Sequence, residues 1–314
     1  MWLRQLKAVV GNAVKVTLGD PFCLVLHLTG LALMCLLAAI PGFTFGEHTK
    51  LLRDQCLSLI FMLGSLVVVF GFIRVLTDDI RRGAGAILGS RPIAGFCIVA
   101  GKWLGVFGTV LIVHGSFLAA YLWTSEIAGD GQFLNTGSLL NYLAVIVIAI
   151  VLVAIQHYLL GGAYVFRANI CLAILVVAAF GVRVAIYGPS QFDWPGVQSG
   201  VMLAFGLIAF SAFLLPVAIL LDSAMVLSMG IVLFFFGLMS NFLVAQLSLT
   251  KMLTTTLQAI LPNWQIYWVV DRISEGKNVP IGYFISTGVQ AILLLVVALI
   301  AGTIVYDRME MKSA

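Results

Sequence analysis

Charge is what this sequence has least of. Of its 314 residues only 10% are Asp, Glu, Lys or Arg, 62% are hydrophobic, and the mean hydropathy is +1.12. A soluble domain of this length carries roughly 25% charged residues, so most of the chain must face hydrocarbon or other helices. The net charge of +4 comes from a basic N-terminus and a basic loop. Nucleic-acid binding would need a basic face with interleaved aromatics. The five cysteines (Cys23, Cys35, Cys56, Cys97, Cys171) have no CxxC spacing and lie mostly in or beside apolar runs. This excludes a disulfide framework or zinc site and leaves packing as their role. A phosphate-cradling loop needs Gly-x4-Gly-Lys-Ser/Thr, but the two Gly-Lys pairs precede Trp103 and Asn278. ATP chemistry, if it is used, must come from another chain.

What is present is a series of apolar runs, each of the roughly 20 residues that cross a bilayer as a helix. They lie at Phe22–Pro41, Leu57–Leu76, Trp103–Trp123, Tyr142–Leu160, Ile170–Tyr187, Val201–Leu221, Ala224–Ala245 and Tyr283–Tyr306. The fold expected is all-α: a polytopic membrane protein of about eight transmembrane helices, with 1–314 as a single domain. The break between the fourth and fifth runs rests only on Arg167 and Asn169, and the sixth and seventh meet at a tight Asp222-Ser223 turn. No cleavable signal peptide is expected, because the first run starts only at Phe22 and no small-x-small site follows. Residues 1–20 read instead as an amphipathic surface helix. Leu3, Leu6, Val10, Ala13 and Val14 form a stripe, and Arg4, Lys7, Asn12 and Lys15 lie mostly off it.

Lys and Arg fix the expected orientation. With the N-terminus inside, eleven of the 17 lie on the inner side and six (Lys50, Arg53, Arg183, Lys251, Arg272, Lys277) on the outer, mostly beside acids. Both termini are then cytoplasmic. The outer segment 246–282 is only partly apolar, and Pro262, Trp264, Tyr267 and Trp268 suit short helices lying at the outer interface.

The inner loop 77–102 carries the mechanistic signal. Thr77 can cap a helix whose first turn holds Asp78 and Asp79. Ile80, Ala84, Ile87 and Leu88 share one face, and Arg81 and Arg82 lie away from it. Gly89 ends the helix and Pro92 starts the next segment. The pattern fits equally a helix resting on headgroups and one inserting its apolar face into a groove on a cytoplasmic partner.

This loop resembles that of ABC-2 type ABC transporter permeases, which show an acid and a Gly, an apolar pair, a Ser/Pro/Arg cluster and a Gly-Lys before the next span. The matching residues are Asp78 or Asp79, Gly83, Ile87-Leu88, Ser90-Arg91-Pro92 and Gly101-Lys102. The N-terminal helix ending Gly19-Asp20-Pro21 is similar to the family's connector helix. Ile260 to Trp264 with Asp271 and Val279-Pro280 resembles its outer segment, and Tyr306-Asp307-Arg308 its charged tail. The family's core has six spans, so the fourth and fifth read as an inserted hairpin. The resemblance implies a permease subunit, bacterial inner-membrane and dimeric with itself or a related permease, and most often an exporter. Its loop helix, through Asp78, Asp79, Ile80, Arg81, Arg82, Gly83, Ile87, Leu88, Arg91 and Pro92, would dock on a separate ATPase subunit. That subunit would hold the ATP and Mg; no cofactor is expected on this chain, which would not itself be an enzyme.

Two rival readings rest on other residues. His114 and His157, in the third and fourth runs, suggest an intramembrane haem or metal redox protein. Ordinary interhelical hydrogen bonding is the plainer account of both. An ATPase-independent secondary transporter would show inverted repeats and paired membrane carboxylates. No repeat is visible, and no Asp or Glu sits mid-span. Arg183 could meet an anionic substrate or snorkel to headgroups; Asp222 suits a helix cap. Gly101, Gly105, Gly108 and Ser116 would permit close helix approach, and His27 has no partner visible in sequence.

Overall fold

The computed structural model describes residues 2–40, 48–81, 94–128, 134–247 and 251–313. Among them there is no strand. The order is α1 (Trp2–Leu18), α2 (Pro21–Ala39), α3 (His48–Phe72), a π-helical turn (Ile73–Thr77), α4 (Asp78–Arg81), α5 (Gly95–Ala128), α6 (Thr136–Leu160), α7 (Tyr164–Tyr187), α8 (Pro195–Leu220), α9 (Ser223–Gln246), α10 (Lys251–Ile260), α11 (Val270–Ser274) and α12 (Ile281–Ser313). Eight of these, α2, α3 with its π extension, α5 to α9 and α12, are long and apolar enough to cross a membrane. The protein is an all-α polytopic membrane protein.

Local chemistry sets the ends. Asp20 accepts from the Phe22 N–H and Pro21 opens α2; Asn135 accepts from Ser138 N–H at α6, and Asp222 from Met225 N–H at α9. Each closes an otherwise open helix terminus. The α6–α7 break falls not at Arg167 and Asn169 but at Gly161 and Gly162, whose φ values of 63° and 97° suit glycine. Arg167 closes that turn by donating to Gly161 O at 2.6 Å, and Asn169 is fully buried within α7.

The α3, α5 and α8 helices form the centre, and the α6–α7 hairpin and α9 lie at its rim. The α1 and α12 helices both meet the N-terminal end of α5, so the two termini share one face of the bundle. We call it the terminal face and its opposite the far face. Most of the α1 stripe is spent on protein: Leu6, Val10, Ala13 and Val14, with Val9 beside them, lie against Gly101 and Gly105 of α5, whereas Leu3 is 71% exposed. A Cβ on Gly105 would sit 2.8 Å from Val10 O, so only glycine allows this approach.

The segment 246–282 departs from its expected place. Its middle does not lie at the interface but sinks between α3, α8 and α9. Trp264 donates to Phe234 O at 2.9 Å, and its ring packs 5.7 Å from Phe210 and 6.0 Å from Phe61. Phe234 lies twelve residues from the far end of α9, roughly 18 Å at 1.5 Å per residue, about midway through a ~30 Å hydrocarbon core. The chain then climbs: Tyr267 packs on Gly206, Val269 and Ile273 on Met202, and Ser274 reaches Arg53. Aromatic bulk drives the descent, and the polar turn is satisfied internally. Asn263 donates to Asn241 Oδ1 and Asn241 to Gln265 Oε1, both at 2.6 Å, and Gln265 donates to Leu238 O at 3.0 Å. Irregular backbone is tolerated at membrane depth where protein supplies such partners.

Candidate functional site

The loop singled out in the sequence leaves the bundle from the end of α3. Apolar Val75 and Leu76 are buried, so the helix does not stop at Thr77 but continues through one π turn into α4. The Asp78 N–H bonds back to Ile73 O, five residues earlier. Thr77 is therefore not an N-cap, which requires a non-helical backbone. Its hydroxyl instead donates to Ala218 O of α8 at 2.7 Å. The chain is helical through Ile80 and Arg81; Arg82, Gly83, Ile87, Leu88, Arg91 and Pro92 lie outside the described residues.

Around this exit the terminal face concentrates its charge. Arg74 donates to the buried Asp20 at the α1–α2 elbow, and its Nη1 lies 3.5 Å from Asp78 Oδ2. Asp78 Oδ1 also accepts from Ser223 Oγ of α9 at 3.0 Å. Asp79 pairs at 3.2 Å with Lys102 of α5, whose side chain is only 7% exposed. Both acids of the expected docking surface are thus gripped by the protein's own side chains. The helix that leads into the loop is tied to the α1–α2 elbow, to α5, to α8 and to the start of α9.

The histidines part company. His114 donates from Nε2 to Gly200 O of α8 at 3.0 Å, while His157 bonds Gly162 O at the exposed α6–α7 turn. His114 lies nineteen residues up α5, roughly 28 Å at 1.5 Å per residue, whereas His157 is in the last turn of α6 at the terminal face. No cluster of three or more His, Cys, Asp or Glu able to hold a metal occurs among the described residues. His27 is the one the sequence underrated. It is fully buried, with Nδ1 3.2 Å from Asn169 Oδ1 and Nε2 3.0 Å from Ser116 Oγ, and Asn169 donates to Leu18 O at 2.8 Å. Four elements, α1, α2, α5 and α7, meet in this chain of bonds. In sequence its members were isolated polar residues, His27, Ser116 and Asn169, within or beside apolar runs, with nothing local to pair them.

On the far face the arginines are matched. Arg183 neither snorkels nor stands free: it forms a bidentate pair with Glu126, and Trp123 and Tyr187 flank its guanidinium at 5.4 and 4.7 Å. Arg53 grips Asp193 through Nε at 2.6 Å and Nη2 at 2.8 Å, and Tyr121 donates to the same carboxylate. That partner is 140 residues away in sequence. No family model, curated protein or solved structure matches this chain.

Proposed function

We propose that the chain is the membrane-spanning permease subunit of an ATP-driven transporter of the ABC-2 type. It would sit in a bacterial inner membrane with both termini cytoplasmic and would work as a homo- or heterodimer in export. Its loop 78–88 would dock on a separate ATPase subunit that holds ATP and Mg. The observation that carries this reading is the rigid exit of the loop. A helix continuous from α3 leads into it and is locked to α5 by Lys102–Asp79, to the α1–α2 elbow by Arg74–Asp20, and to α9 by Ser223–Asp78. A push applied to such a handle moves several helices together, because each ion pair has one largely buried member, Asp20 or Lys102, that would be left uncompensated by separation. The loop pattern and its resemblance to permease loops supply the partner.

Reversing Arg81 and Arg82 to Glu, or Ile87→Asp, is expected to release the ATPase and abolish its stimulation while the membrane domain stays folded. Retained co-purification with unaltered stimulation would reject the coupling role. A P-loop ATPase encoded beside this chain would be independent support.

A further inference from the structure

We propose that a cavity on the far face is a binding site for a neutral, hydroxyl-rich solute of small-saccharide size. The cavity measures about 740 Å³ and lies between the first turn of α3, the end of α5, the end of α7 and the turn 189–193. That volume falls within the ~300–1,000 Å³ of small-molecule sites.

Its electrostatics select the ligand. Among the described lining residues the permanently charged side chains are Arg53, Glu126 and Asp193, and each is already matched. Arg53 and Asp193 hold each other, Asp193 takes a further bond from Tyr121, and Glu126 is held by Arg183. An anion would have to draw an arginine from its carboxylate, and a cation the reverse. Either step leaves a side chain that is only 9–18% exposed without its partner. A neutral ligand disturbs neither pair.

What the wall offers instead is neutral hydrogen bonding. Thr49 and Ser190 bring hydroxyls and Gln191 an amide, all able to donate and accept, while Ser125, whose hydroxyl donates to Leu122 O at 2.6 Å, offers an acceptor. Asn135 spends its carbonyl oxygen on capping α6, which leaves its NH₂ to donate. Tyr187, half exposed beside Arg183, presents a ring against which the C–H face of a pyranose can lie. Mixed donors and acceptors around an aromatic face match alternating hydroxyls better than they match an acyl chain or a lone ion.

The site is inferred independently of the ATPase assignment, and its test needs no second chain. The full-length protein in nanodiscs would be titrated calorimetrically with glucose, sucrose and maltotriose, and with glucuronate and glucosamine as charged counterparts of glucose. Saturable binding of at least one neutral sugar is expected, with the charged sugars weaker by about tenfold or more. Gln191→Ala should weaken binding about tenfold and Ser190→Trp, which fills the cavity from an exposed turn, should abolish it. Thermal unfolding of both variants should match the unaltered protein; should Ser190→Trp fail to fold, Thr49→Trp replaces it. Absence of saturable binding by every neutral sugar, tighter binding of a charged one, or binding that survives the filled cavity would each overturn the proposal.

Discussion

The two faces of this bundle use the same interaction for opposite ends. On the terminal face the ion pairs Arg74–Asp20 and Lys102–Asp79 join helix to helix around the exit of one loop. On the far face Arg53–Asp193 and Arg183–Glu126 sit in the wall of an open volume of about 740 Å³ and hold the turn 189–193 and the ends of α5 and α7 in place. A matched pair resists separation more strongly the less its members are exposed, and the far-face pairs, at 9–18%, are the better shielded. What differs is whether it fastens helix to helix around a loop or lines an open volume with its charge neutralised. On the two readings proposed above, the first would transmit force and the second would recognise an uncharged solute.

The comparison can be broken most severely at Asp20. Asp20→Ala removes both the cap of α2 and the partner of Arg74 from a buried position. It should cost about 2–3 kcal/mol, from the lost cap and from an ion pair weakened by the 39% exposure of Arg74, which keeps Asp78 beside it, read as a lowered unfolding temperature in detergent. Asp20→Asn keeps a capping oxygen and should lose less. On the far face Asp193→Ala should be similarly damaging, since Arg53 and Tyr121 both lose their acceptor. The double variant with Arg53→Ala should recover part of that loss, because no unmatched charge then remains. Two additive single effects would show that the pair does not neutralise the wall.

Smaller effects sharpen the contrast. Gly105→Leu must push α1 off α5 and is expected to cost about 1–3 kcal/mol as overpacking. It should also loosen the terminal face without altering the far-face cavity, which limited proteolysis of α1 would report. A double-mutant cycle on His27→Ala and Asn169→Ala should give a coupling of about 0.6 kcal/mol, the scale of hydrogen bonds between membrane helices. Lys277→Ala should change nothing measurable, since its pair with Glu275 lies in water with both side chains more than half exposed.

Particular elements show where sequence reasoning held and where it failed. All eight spans and the Asp222 cap were legible, because each follows from a window of neighbouring residues. The α6–α7 break was misplaced because a charged Arg167 looked like a loop, whereas two glycines made the turn and Arg167 merely closed it. Thr77 was misread as a cap because its neighbours resemble a first turn; burial of Val75 and Leu76 carried the helix past it. Trp264 was assigned to the interface by the usual preference of tryptophan, but Gly237 opens a slot for its ring deep in the bundle. Of the expected docking surface, Asp78 and Asp79 are now placed among their partners, and residues from Arg82 onward lie outside the described residues.

The sequence alone determined that the chain is a polytopic helical membrane protein with an even number of spans. Hydrocarbon imposes a local, additive requirement of about 20 apolar residues on every crossing. Only the tertiary structure decided which polar groups meet. The partners Arg53 and Asp193 stand 140 residues apart, and His27 and Asn169 stand 142 apart. Their pairing depends on the depth and rotation of whole helices, which no local window of sequence contains.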